Sequence, residues 1–250
     1  MHGVALNVCE EITLARAAAD AIARALSRTI ALQGEAVWTP SAGRTPTLTY
    51  RFLRQDHRQS LDWGAVRLVQ MDEYLGLPPH HPASLAFYIN RHVAEPLGIR
   101  DFACFNGDDG TLRMPPERFE QIHAARIDLA VHGVGRNGHI GFNEPGSSPT
   151  SLSRTIMLDA STYEDNFANA ADRARFRSGV TLGLRALLGA RDTVVLATGR
   201  HKAAAVCAML AGPVSKRCPA SFLRRSSGVT AFLDSAAHAL LAPAREARLA

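Results

Sequence analysis

A glycine-rich segment in the middle of the chain brings three chemically useful side chains within eight residues. Residues 133–146 contain Asn137, His139 and Glu144. An imidazole is neutral and can accept or give a proton near pH 7, and a neighbouring carboxylate can orient it. The apolar run at 127–131 predicts a strand directly before this segment. We therefore interpret the segment as a candidate proton-transfer site at the end of a strand.

The same segment also matches G-x-G-x-x-G through Gly133, Gly135 and Gly138. A dinucleotide site requires a helix to open at the third glycine. Gly141 and Pro145 follow instead, and they disfavour a long helix. A tight strand-to-loop turn explains the glycines better than a nucleotide site does. That purely structural interpretation stays open beside proton transfer.

Two adjacent carboxylates, Asp72 and Glu73, end a second predicted strand over residues 66–71. In a cleft, Asp72 could serve as a general base, because burial tunes the pKa of such a group. A solvated strand end would carry the same two residues. This pair alone is a weak indication of function.

Two further segments offer groups that bind anions. Residues 41–46 form a turn of small residues leading into a predicted helix, whose free N–H groups would suit a phosphate. Thr45 adds a hydroxyl there. Lys202 is predicted in the first turn of another helix, where a cation opposes the helix dipole unless it holds an anion. A plain helix start and a solvated lysine are the alternatives.

These candidate residues all follow predicted strands that alternate with helices. Strands are predicted at 37–38, 66–71, 127–131, 193–197 and 229–233. Helices are predicted at 11–28, 48–52, 84–93, 116–125, 181–188, 201–210 and 235–241. The alternation predicts an α/β fold, with a mainly parallel sheet covered by helices on both faces. We expect one Rossmann-like domain over 1–250, with its ligand at the carboxyl ends of the strands and a mobile segment at 145–178.

Composition excludes several other classes of protein. The chain is 46% hydrophobic and 20% charged, which excludes a disordered chain or a coiled coil. Its net charge of +5 comes without long basic runs or interleaved aromatics, so we expect a small anionic ligand and no nucleic acid. No apolar run is long enough to span a membrane. The spacing of the four cysteines is not typical of disulfides or of a zinc site. We therefore expect no bound metal and a location in the reducing cytoplasm.

Together the motifs resemble those of the glucosamine-6-phosphate deaminase/isomerase family. The resemblance rests on M-D-E-Y at 71–74, on G-V-G-R-N-G-H-I-G-F-N-E-P at 133–145 and on residues 199–202. It implies conversion of a hexosamine 6-phosphate into a ketose 6-phosphate and ammonia, without a metal or redox cofactor. The stretches 179–184 and 219–223 look more like the galactosamine-6-phosphate branch, so the sugar epimer stays open, as does the oligomeric state.

The resemblance also implies individual roles. His139 would move the proton that opens the sugar ring, Glu144 would orient it, and Asn137 would assist. Because asparagine carries no charge, the imidazole would depend more on Glu144. Asp72 would abstract the proton from C2. The residues expected to bind substrate are Ser41, Gly43, Arg44, Thr45, Gly135 and Lys202.

The chain departs from the family at the phosphate site. Many glucosamine-type members carry an arginine in an A-N-x-R-F-F segment, whereas the matching residues here are Asn166, Phe167 and Ala168. The nearby candidates to replace it are Arg173, Arg175 and Arg177. Two other functions stay open: a 6-phosphogluconolactonase-like hydrolase on the same fold, and a non-catalytic sugar-phosphate-binding regulator.

Overall fold

The computed structural model describes residues 3–162, 167 and 170–241, and seven parallel strands form its central sheet. The order across the sheet is β1-β10-β9-β6-β2-β3-β5, numbered along the chain. These strands are β1 (Ala5–Val8), β2 (Ala36–Thr39), β3 (Val66–Val69), β5 (Asp101–Ala103), β6 (Leu129–Gly133), β9 (Asp192–Ala197) and β10 (Val229–Leu233). Every neighbouring pair is parallel, so all their carboxyl ends lie at one edge.

Helices cover both faces of this sheet, as the sequence predicts. They are α1 (Glu11–Gln33), α2 (Arg44–Asp56), α3 (Leu85–Ile89), α4 (Glu95–Leu97), α5 (Pro116–His123), α6 (Ala170–Arg175), α7 (Leu184–Leu188), α8 (Ala203–Leu210) and α9 (Ser235–His238). A π-helical turn, Asn90–Ala94, joins α3 to α4. Apolar residues of α1 and α2 pack on one face, and those of α5, α7 and α8 pack on the other.

Strand β6 is covered on both faces, which explains its run of apolar residues. Leu129 and Val131 point into the core that includes α1, whereas Ala130 packs into the core on the opposite face. A parallel strand covered on both faces has no solvent side, so its residues do not alternate in polarity. The predicted α/β fold, with a mainly parallel sheet covered by helices on both faces, is confirmed.

A second, antiparallel sheet has the order β4-β8-β7. It contains β4 (Asp72–Tyr74), β7 (Arg154–Met157) and β8 (Ser178–Thr181). The prediction that Asp72 and Glu73 end the strand over 66–71 is wrong, because β3 stops at Val69 and Asp72 begins a strand of its own. Gln70 lies at the break, where its side chain accepts a hydrogen bond from the backbone of Phe105 at 2.9 Å.

The predicted helix over 181–188 is wrong at its start. Residues 178–181 form β8, and the helix begins only at Leu184 with Gly183 as its N-cap. The β-branched residues Val180 and Thr181 favour a strand once partners on both sides are present. The edge strands β1 and β5 escaped the sequence analysis, since four and three residues are too few to show a period.

Candidate active site

The three residues of the candidate proton-transfer site meet around the carboxylate of Glu144, in the loop after β6. Nδ2 of Asn137 donates to Oε2 of Glu144 at 2.8 Å. Nδ1 of His139 lies 3.3 Å from the same oxygen, and the backbone N–H of His139 donates to Oδ1 of Asn137 at 3.1 Å. The structure thus brings the three side chains together, while their roles in catalysis stay predictions.

Glu144 is held as a carboxylate by its surroundings. Burial opposes its ionisation, but the hydrogen bond and charge of His139 act against burial, together with hydrogen bonds from Thr162 and Asn137. The net effect lowers the pKa of Glu144 to about 2. Oγ1 of Thr162 donates to Oε1 at 2.6 Å. An ionised carboxylate beside Nδ1 of His139 orients the ring and favours a proton on that nitrogen.

The imidazole of His139 lies directly over the backbone of Gly135. A Cβ at Gly135 would overlap the atoms of the ring, so only glycine permits this approach. The His139 side chain keeps 18% of its surface exposed. Because Nδ1 is taken by Glu144, Nε2 is the ring nitrogen left for a substrate. Gly135 therefore contributes space for the histidine, and its contact with substrate stays a prediction.

Thr181 connects the small sheet to this loop. It pairs with Asp72 in the β4–β8 register. Its Oγ1 accepts a hydrogen bond from the backbone N–H of Phe142 at 3.2 Å, and Nδ2 of Asn143 lies 3.4 Å away. The strand that carries Asp72 is thereby fixed against the segment that carries Glu144.

Asp72 is the one predicted site residue whose surroundings strongly disfavour its charge. Its side chain is buried, and the structure gives it no hydrogen-bond donor among the described residues. Burial first, and then the charge of Glu73, raise the pKa of Asp72 to about 8. A carboxyl with a high proton affinity is suited to taking a proton from carbon.

The turn after β2 has the features of an anion site. Gly43 is the N-cap of α2 with φ of 116°, and no side chain caps the helix. Backbone donors of Arg44 and Thr45 in the first turn are therefore available to a ligand. Oγ of Ser41 is buried and has no hydrogen-bond partner in the described part of the chain. The four predicted residues of this turn lie together at the start of α2.

Lys202 emerges at the same edge of the sheet as this turn. It closes a 3-10 turn, Arg200–Lys202, and is the N-cap of α8. It follows β9 as Ser41 follows β2, and these two strands flank β6. With strands about 4.8 Å apart, the two segments predicted to bind an anion border the loop of His139 on either side.

The arginine candidates near residue 167 have other contacts. Nε of Arg173 donates to the backbone oxygen of Phe167 at 2.7 Å. The guanidinium of Arg175 lies over the ring of Phe176, 5.1 Å from its centre. Residues 166 and 168, where the family motif would place its asparagine and arginine, lie outside the described residues.

Sequence reasoning missed three residues that hold the site together. Thr162 contacts Glu144 and His139, and Thr181 contacts the 140–143 turn. Arg154 donates to Oδ1 of Asn143 at 3.0 Å and to Oγ of Ser147 at 2.8 Å, on either side of Glu144. None follows a predicted strand, and the contacts join residues that are distant in sequence.

The described residues contain no group of three His, Cys, Asp or Glu side chains that could hold a metal. No helix among them is long and apolar enough to cross a membrane. The carboxyl edge of this parallel α/β sheet carries a His–Glu pair and a helix N-terminus open to an anion. These features define the class of Rossmann-like proteins whose ligand site lies at that edge. Within that class, a family model described as glucosamine-6-phosphate isomerases/6-phosphogluconolactonase matches residues 10–232, and the chain belongs to this family.

Curated relatives support this membership over most of the chain. The glucosamine-6-phosphate deaminase of Streptomyces coelicolor is 38% identical over 238 residues, covering 89% of this chain and 88% of the relative. That of Halalkalibacterium halodurans is 36% identical over 200 residues, covering 78% and 81%. The resemblance drawn from the sequence motifs is confirmed.

Solved structures agree with these relatives. A monomeric glucosamine-6-phosphate deaminase superimposes with a TM-score of 0.86 at 30% identity, covering 95% of this chain and all of that one. The 6-phosphogluconolactonase of Trypanosoma brucei gives 0.77 at 20% identity, over 96% and 100% of the two chains. At that identity the likeness to the lactonase concerns the fold alone.

Proposed function

We propose that this protein is a hexosamine-6-phosphate deaminase, which isomerises an amino-sugar phosphate and releases ammonia. The observation that supports this most directly is the His139–Glu144 pair beside the strand of Asp72, which is buried and has no hydrogen-bond donor among the described residues. The deaminases among the curated relatives make glucosamine 6-phosphate the first substrate to test. The galactosamine epimer stays a second candidate.

In this proposal the phosphate is held at the start of α2. Backbone N–H groups of Arg44 and Thr45 face no competing side-chain cap, and the hydroxyl of Ser41 has no hydrogen-bond partner among the described residues. These three groups are the proposed phosphate donors. Lys202 supplies the full positive charge. A charge-assisted contact is about twice as strong as a neutral one, so Lys202 would contribute most of the selectivity for a phosphorylated sugar.

Ring opening is assigned to His139. Nε2 takes the proton from the O1 hydroxyl of the closed sugar and returns it to the ring oxygen as the C1–O5 bond breaks. The ionised Glu144 stabilises the imidazolium that forms between these two transfers. The product is the open-chain aldehyde, with its amino group on C2.

Asp72 then removes the proton from C2. The C–H electrons form the C1=C2 double bond as the C1 carbonyl oxygen takes up a proton, which gives an enol that carries the amino group on C2. The carboxyl of Asp72 returns its proton to C1 as the nitrogen lone pair forms a C2=N bond, which gives a protonated imine at C2. Water adds to C2, and ammonia leaves as the C2–N bond breaks, which gives the ketose 6-phosphate. None of these steps changes the oxidation state of the protein, so the proposal requires no redox group.

The test is an ammonia-release assay with glucosamine, galactosamine and mannosamine 6-phosphates, and with 6-phosphogluconolactone as control. Ammonia from a hexosamine 6-phosphate supports the proposal. Lactone hydrolysis without ammonia would favour the hydrolase alternative, and binding without turnover would favour the regulator. The cytoplasmic location that the cysteine spacing predicts, and the expected absence of nucleic-acid and membrane partners, stay predictions.

A further inference from the structure

Glu73 has no part in the reaction just described, yet it is the most heavily hydrogen-bonded carboxylate described. Its side chain has no exposed surface. It accepts five hydrogen bonds from two side chains and three backbone groups. The donors are Gln70 Nε2 at 2.8 Å, Tyr74 N at 2.9 Å, Ser84 Oγ at 2.5 Å, Leu85 N at 3.1 Å and Ala86 N at 3.0 Å.

These donors select the ionised form of Glu73. Four of the five are N–H groups, which cannot accept a hydrogen bond in return, so a protonated Glu73 could keep all five contacts only by reversing its hydrogen bond with the Ser84 hydroxyl. Hydrogen bonds to the charged form favour that form, and they oppose the burial that raises the pKa of Glu73. Gln70 is itself fixed, because its Oε1 accepts from the backbone of Phe105.

Asp72, the preceding residue on β4, is in the opposite situation. It is buried, and no donor among the described residues bonds to it. Two neighbouring buried carboxyls do not both ionise easily, and the proton is retained by the one whose charged form is less supported. The contrast in hydrogen bonding assigns that proton to Asp72.

We propose that Glu73 is a positioning residue for the base: by remaining ionised in its cage of five donors, it makes its neighbour Asp72 the protonated and more basic member of the pair. Only one consequence of this inference rests on the proposed function, namely that Asp72 is a stronger base for removal of the C2 proton. The order of ionisation itself does not depend on any activity.

The surroundings of the pair contain few other charges. The β8 residues opposite β4 are Thr181, Val180 and Gly179, which are uncharged. Helix α3, whose first N–H groups bond to Glu73, carries no charged side chain. The Cys104 thiol near Glu73 has its pKa raised to about 12, by burial and then by Glu73, with Arg113 acting in the opposite direction. Among the described residues, Glu73 is the charged group that acts on Asp72.

The first experiment follows the two carboxyls directly by carbon NMR of protein labelled at aspartate and glutamate carboxyl carbons. Asp72→Asn and Glu73→Asp assign the two signals. We expect Glu73 to ionise at a lower pH than Asp72. The reverse order, or an Asp72 that titrates near pH 4, overturns the proposal even if the protein proves to have no deaminase activity.

The second experiment tests the influence of the charge. In Glu73→Gln, we expect the Asp72 midpoint to fall by about 1 pH unit or more, because a neighbouring like charge is removed. The acidic limb of the kcat/KM profile for ammonia release should move down by the same amount, and the plateau should fall a few-fold because the base is weaker.

Ser84→Ala is the matched control. It removes one donor from the same cage but leaves the charge of Glu73, so the acidic limb should stay in place. Glu73→Asp keeps the charge and should retain most of the wild-type midpoint. Equal shifts in Ser84→Ala and Glu73→Gln would show that Glu73 acts only through packing, and would overturn the proposal. Absence of ammonia release from the wild type would instead contradict the proposed function alone.

Discussion

The hydroxyl of Thr162 lies 2.6 Å from Oε1 of Glu144 and 3.3 Å from Nδ1 of His139. A single threonine therefore touches both members of the proton-transfer pair. By donating to the carboxylate, it leaves Oε2 of Glu144 to face Nδ1 of His139, at 3.3 Å. This arrangement keeps the proton on Nδ1 and the lone pair on Nε2, which is the form of imidazole that can accept a proton from the sugar.

Removing this hydroxyl should slow catalysis without weakening binding. We expect Thr162→Val to lower kcat by ~10-fold, since a hydrogen bond to a charged group contributes about 1.5–3 kcal/mol. The KM should change little, because Thr162 faces the Glu144–His139 pair. Steady-state ammonia release measures both constants, with the exposed Thr150→Val as control. An unchanged kcat would show that Glu144 orients the ring unaided.

Replacing the histidine should separate ring opening from the later step. We expect His139→Gln to abolish turnover of the closed sugar but to leave part of the C2 proton exchange on an open-chain analogue. Exchange is measured in deuterium oxide by NMR. Equal loss on both substrates would contradict an exclusive role of His139 in ring opening.

Replacing the base should remove the chemical step. Asp72→Asn preserves shape but cannot accept a proton, so we expect kcat to fall by at least ~10²-fold with little change in KM. The measurement is ammonia release under substrate saturation. A variant with nearly full deamination would show that another group removes the C2 proton.

The same substitution should stabilise the protein in alkali. The pKa of Asp72 is raised from 3.8 to about 8 on folding. The folded state therefore binds a proton that the unfolded state releases, and stability is lost as pH rises from about 4 through 8. We expect Asp72→Asn to exceed wild type in unfolding free energy by on the order of 2 kcal/mol at pH 8, and to match it near pH 4.

Denaturant unfolding across this pH range measures the difference between the two proteins. The exposed Asp108→Asn is the control and should give a difference that does not vary with pH. A constant difference for Asp72→Asn would mean that Asp72 is as easily ionised in the folded protein as in the unfolded chain.

The two lysines of the chain allow a test of phosphate binding. We expect Lys202→Met to raise KM for the phosphorylated sugar by ~10-fold or more, because a hydrogen bond to a charged group is lost. The exposed Lys216→Met should leave KM unchanged, and neither variant should matter for the unphosphorylated sugar. If Lys202→Met keeps the wild-type KM, an arginine such as Arg177 holds the phosphate instead.

Whether a contact could be predicted from the sequence depends on how far apart its two residues lie along the chain. The glycine-rich loop lies within one segment, so spacing alone predicted that Asn137, His139 and Glu144 meet. The central sheet was predictable because strands buried on both faces are continuous apolar runs. The small sheet was not, because β4 pairs with β8 across a long stretch of chain and each strand is only three or four residues long.

The sequence also could not predict which side chains hold a site residue in place. Nothing in the order of residues indicates that Gln70 and Ser84 would both turn toward Glu73. Likewise, Thr162 reaches Glu144 from a segment without clear periodicity. Such contacts depend on the final packing of separate elements, and a propensity scale contains no information about them.

The proposed base and the proposed ring-opening histidine belong to different sheets. Asp72 lies on the three-stranded antiparallel sheet, and His139 follows the central strand β6. Small units with few strands open more often than a covered core. Amide hydrogens of β8 should therefore exchange with solvent faster than those of β6, and each such opening would part the two groups while most of the molecule stays folded. Loss of turnover in mild denaturant would then precede loss of the fold.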